Sequence, residues 1–111
     1  MQDSEEFVFA YEVDVQHPNV SGMEHLDMLL TRSHLAEVEL GLTKEQRCRV
    51  AKADQILLKH ANQFYAAISQ IANLKSWREH ENAPPNHWWW YLDVLAAAPV
   101  VPEATETLIP A

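Results

Sequence analysis

The sequence predicts a mostly α fold with a minor β element: a long antiparallel helical hairpin, a shorter C-terminal Trp-bearing helix and an N-terminal strand. Three observations carry that expectation. Two capping-box signatures, Ser21 with Glu24 and Thr43 with Gln46, mark the starts of two successive helices. Residues 44–83 contain neither Gly nor Pro, so nothing local interrupts a helix there. Residues 7–15 alternate, with Phe7, Phe9, Tyr11, Val13 and Val15 on one side and Val8, Ala10, Glu12 and Asp14 on the other, which is the period of a half-buried strand.

The strand over 7–15 is expected to stop at His17-Pro18-Asn19, because Pro has no N–H for a ladder and Asn favours turns. The first helix then runs from about Gly22 to Leu40, with Gly41 placed to take a left-handed terminal conformation. It carries two apolar faces. Met23, Leu26, Leu29, Leu30, Ala36 and Leu40 form the main stripe, and Met28, Leu35 and Val38 lie on roughly the opposite side. A helix apolar on two faces is sandwiched between partners.

The second helix starts near Lys44 and ends before Pro84-Pro85. Its stripe includes Val50, Ala53, Leu57, Phe64, Ile68 and Ile71. At 1.5 Å per residue it would reach about 55 Å against about 28 Å for the first helix, leaving an apolar overhang. A third segment, His87 to Ala98 and capped by Asn86, is expected to fold back along that overhang. These elements make one helical domain over residues 1–98, including the strand, and an extended tail over 99–111. Within that tail Thr105–Ile109 is the only other strand-prone run.

With 111 residues, the chain has room for one core and excludes a multidomain enzyme. The lone Cys48 cannot form an intramolecular disulfide, which argues for a reducing, cytoplasmic setting. The first residues, Met1 to Glu6, are acidic where a secretory signal needs positive charge. Net charge is −8 and uneven: residues 1–31 hold seven acids and no Lys or Arg, residues 32–78 hold all eight bases, and residues 79–111 hold five acids and no base. Folding acidic arms over a basic middle would satisfy both. Lys44, Arg47, Arg49, Lys52 and Lys59 crowd the first half of the second helix and are expected to pair with Glu37 and Glu39 at the end of the first, since cations near a helix N-terminus oppose its dipole.

No catalytic residue, metal ligand set or cofactor motif emerges. The six histidines lack the His-x-x-x-His spacing that places two imidazoles on one helix face. With two glycines in the chain, a phosphate-cradling loop has no material. His60 is the titratable candidate, because it falls within the apolar stripe of the second helix. Asp54 sits at the border of that stripe with no base facing it along its own helix, and reads as a solvated carboxylate.

The strongest feature is Trp88-Trp89-Trp90-Tyr91. Four consecutive rings cannot all enter one core, and exposed Trp and Tyr are what binding hot spots use. Together with Met28, Leu35 and Val38, they are the expected interaction residues. The functional expectation is a non-catalytic cytoplasmic protein–protein interaction or regulatory module, homodimeric, with no membrane partner and no nucleic acid. The first alternative is a small ligand- or metal-binding helical protein or enzyme using His60 in an aromatic-walled pocket. The second is an acidic inhibitor of a nucleic-acid-binding protein.

Overall fold

The computed structural model describes residues 4–97, and the tail 99–111, with its strand-prone run, lies outside them. The described chain is mostly helical and contains no strand. Helix α1 spans Ser4–Asp14, α2 Gly22–Glu37, α3 Lys44–Lys59, α4 Ala61–Ser69, α5 Leu74–His80 and α6 Leu92–Ala97. Short 3₁₀ turns occupy Glu39–Gly41 and Trp88–Tyr91.

The expected strand over 7–15 is therefore α1. Both periods fit these residues, since Val8, Tyr11 and Val15 repeat at i, i+3 and i+7 and all three are fully buried. Phe9 and Val13, on the opposite face of the same helix, remain 61% and 36% exposed. Burial of these three side chains favours the helical period, and a long-range ion pair fits it. Arg49 of α3 grips Glu5 through two bonds of 2.9 Å and Glu12 through bonds of 2.9 and 2.7 Å. Residues seven apart share a face on a helix and lie on opposite faces of a strand.

Helix α2 begins as the sequence predicts, with the Ser21 hydroxyl accepting from the Glu24 N–H at 3.3 Å. Thr43 forms both halves of its capping box with Gln46, at 2.9 and 3.0 Å. Gly41 does not adopt a left-handed conformation. The one described non-glycine residue with positive φ is Asn82, at 52° after α5, a residue type that tolerates that region.

The uninterrupted second helix is not observed. It kinks at His60 (φ −110°, ψ 24°) and stops after Ser69, and Asn73 then caps α5 by accepting from the Ser76 N–H at 3.0 Å. The kink lets α3 pack on α1 while α4 turns inward against α2, so a simple long hairpin is replaced by α1 packing on both α2 and α3. The overhang is thereby folded away, and Phe64, Ile68 and Leu74 become core. The Trp-bearing segment is a 3₁₀ turn leading into α6, which packs on α4. His87, rather than Asn86, precedes it, and provides no side-chain cap.

Gly22 is required for a reason no local pattern reveals. A Cβ there would lie 2.5 Å from the Ala67 carbonyl oxygen and 2.8 Å from Ile71 Cγ1, so α2 and α4 touch through this glycine. Gly→Ala in a helix ordinarily gains up to about 1 kcal/mol. Gly22→Ala is expected to reverse that sign and cost about 1–3 kcal/mol, because the obstacle is backbone and the helices must separate. Urea unfolding of the variant checks it.

Candidate functional site

The aromatic cluster is anchored inward by one hydroxyl. Ser33 of α2 accepts from Trp89 Nε1 at 2.9 Å and from Trp90 Nε1 at 2.8 Å, using both of its lone pairs. Trp89 and Trp90 are 2% and 1% exposed. The Arg32 guanidinium lies 4.1 Å from the centre of the Trp89 ring, and His87 stacks on the same indole at 4.6 Å. Burial, followed by the nearby Arg32 charge, holds the His87 imidazole below its ordinary range.

Arg32 continues this network across the fold. Its Nε and Nη2 donate to the two oxygens of Asp54 at 2.9 and 3.0 Å, and the Tyr11 hydroxyl donates to the same carboxylate. The two charged side chains are 13% and 15% exposed. Burial, and then the Asp54 charge, pushes the Tyr11 phenol far above its usual range. Asp54 is thus a half-buried clamp joining α1, α2 and α3, rather than the solvated carboxylate expected. Local reading missed it because its partners lie 22 and 43 residues away. The available signal was a lone acid bordering an otherwise apolar stripe.

The acidic arms do fold over the basic middle, through Glu5 and Glu12 on Arg49 and through Asp93 on Arg78 at 2.8 Å. Arg78 also caps the Trp90 carbonyl at 3.0 Å and lies over the Tyr91 ring. The expected pairing of Arg47 with an acidic side chain is replaced by a bond to the Glu39 backbone carbonyl at 3.3 Å.

The residues expected to form an interface are largely internal. Met28, Leu35, Trp89 and Trp90 are buried and present no area to a partner, while Val38, Trp88 and Tyr91 are half-buried. Both apolar faces of α2 contribute to the core, Leu26 and Leu29 from the main stripe and Met28 and Leu35 from the other, while Met23 and Leu30 of the main stripe are 57% and 37% exposed. His60 is half-buried at the α3–α4 kink, its Nδ1 at 2.9 Å from Gln63 Oε1.

An open groove of about 510 Å³ runs between the link 18–22 and α4, lined by Pro18, Asn19, Val20, Ser21, Gly22, Gln63, Ala66, Ala67, Gln70 and Ile71. None of these residues is ionisable. Its lining includes the half-exposed Ile71. Among the described residues, the side-chain amides of Asn19 and Gln70 have no internal hydrogen-bond partner. Residues 60–74 and 15–23 hold no Asp, Glu, Lys or Arg in a chain that is 22% charged; that gap was the sequence signal for this surface.

The chain matches no protein family, no curated protein and no solved structure. Geometry alone must therefore carry the functional reading. Among the described residues, no group of three or more His, Cys, Asp or Glu side chains is placed to hold a metal, and no helix is long and apolar enough to cross a membrane.

Proposed function

We propose that this chain is a non-catalytic cytoplasmic protein–protein interaction module that works as a homodimer, each copy meeting the other through the uncharged groove between the 18–22 link and α4. The observation that carries this reading is the groove's lining. Two copies bearing −8 each repel, and they meet at least electrostatic cost where neither presents a charge. Depletion of charge at the centre is also the compositional mark of protein interfaces. Ile71 supplies apolar area, and the free amides of Asn19 and Gln70 can exchange hydrogen bonds with the same groups on the partner. A two-fold arrangement, which brings one patch onto its own copy, is the commonest closed assembly.

The reading predicts an unusual salt response. Raising salt from about 20 to about 500 mM screens the repulsion between acidic copies and should tighten the dimer in sedimentation equilibrium. An acidic inhibitor of a nucleic-acid-binding protein would show the opposite sign, because its attraction to a basic partner is what salt screens. Ala66 is exposed on α4, so Ala66→Arg introduces a charge into the groove without entering the core. It should weaken the dimer more than about tenfold. A wild-type chain that stays monomeric at every salt concentration would sink the proposal.

A further inference from the structure

The link between α1 and α2 has open space on both sides. Pro18 and Val20 line the groove on the α4 side, and Val20 also lines a second cleft of about 260 Å³, together with Val13, Asp14, His17, Glu24 and His25. Among the described residues, the only hydrogen bond tying residues 18–20 to a helix joins His25 of α2 to the Pro18 carbonyl, at 3.2 Å. A carbonyl can only accept, so His25 Nε2 is the donor and Nδ1 is the nitrogen left to take a proton. The imidazole is 1% exposed and lies against the Phe64 ring of α4 at 4.6 Å in an edge arrangement.

We propose that the link 18–20 is an acid-released strap, held closed by the neutral His25 imidazole and freed when that ring is protonated. Two features of the site disfavour an imidazolium in the closed position. The ring is buried, and His25 is the fourth residue of α2, where the helix dipole opposes a cation. The second cleft offers relief, because Glu24 shares its wall with His25. A ring that swings out toward that carboxylate gives up Pro18. The strap then loses its tie, and the groove loses one wall.

The other titratable groups lining the cleft are Asp14 from α1 and His17 from the link, and Asp27 on α2 acts on Asp14. Burial, and then Glu24 and Asp27, pushes the Asp14 carboxyl up, so its protonation favours the closed form and opposes release. Burial holds His25 below its ordinary 6.5, with the Pro18 bond and Glu24 acting against that shift. The closed strap thus binds fewer protons than the open one. It is fully favoured above about pH 6.5 and is lost as pH falls through the midpoint of the closed form.

The device concerns the free chain, so it can be tested apart from dimerisation, in the Ala66→Arg background as well as in wild type. The experiment follows imidazole and backbone amide NMR signals, and amide hydrogen exchange, through the acid range. The amides of Asn19, Val20 and Ser21 should shift with the midpoint of His25. Their opening should grow by up to about tenfold per pH unit between the midpoints of the closed and open forms. In His25→Gln, whose amide can still donate to Pro18, both responses should vanish, whereas in Asp14→Asn they should persist. Strap amides that stay still, that follow His17, or that respond equally in His25→Gln would overturn the proposal. Should His25→Gln fail to fold, the wild-type comparison of the His25 and His17 midpoints still decides.

Discussion

Asp54→Ala is expected to cost about 3–5 kcal/mol of folding free energy, read as a drop in the urea midpoint at neutral pH. The cost comes from what the substitution leaves behind. Arg32 would keep its charge with its side chain 13% exposed and no carboxylate facing it, and the Tyr11 hydroxyl would lose its acceptor inside the core. The Trp89 face under Arg32 cannot make up the difference, since a cation over a ring contributes about 0.5–2 kcal/mol. The pair itself is a different matter. Replacing Arg32 and Asp54 together by Met and Leu removes both charges at once, and should cost far less than the two single changes added. A loss below about 1 kcal/mol for Asp54→Ala would place the pair with exposed ion pairs and contradict the clamp.

Trp90→Ala is expected to cost about 3–5 kcal/mol as well, through cavity formation. Trp90 is among the largest fully buried side chains, and its indole N–H is bonded to Ser33. Trp90→Phe retains most of the volume, and Ser33 keeps its bond from Trp89; the loss should then fall toward the value of one hydrogen bond and a small void, about 1–2 kcal/mol. The half-buried Trp88 makes a useful contrast, because truncating it removes less buried area. Equal losses at positions 88 and 90, or a Trp90→Ala chain as stable as wild type, would show that the indoles are not packed as described. The effect is on folding, so it separates the tryptophan cluster from the groove variant Ala66→Arg, whose effect is on association.

These expectations reverse the natural reading of four rings in a row. Two of the rings found a place inside because Ser33, 56 and 57 residues away in the chain, offers one oxygen to both indoles. No periodicity in either segment announces that meeting. The same holds for α2, where Leu26 and Leu29 of one apolar face and Met28 and Leu35 of the other are core while Met23 and Leu30 stay exposed. Two apolar faces were visible, but which residues of each are covered depends on where α1 and α4 come to rest.

The features legible along the chain act within a few residues of where they lie. Ser21 and Thr43 start helices, Pro84-Pro85 follow the last turn of the α3–α5 stretch, and the uneven charge foretold acidic arms closing on Arg49 and Arg78. Capping bonds span three residues and depend on little else. Tertiary structure alone decided whether residues 7–15 are strand or helix, why position 22 must be Gly and what Asp54 binds. In each case the deciding atom belongs to a distant segment: Arg49 gathering Glu5 with Glu12, the Ala67 carbonyl closing on Gly22, Arg32 and Tyr11 converging on one carboxylate. Local propensities differ by about 1 kcal/mol or less, whereas burying an apolar side chain between distant segments contributes about 1.5–3 kcal/mol and so chooses among the local options.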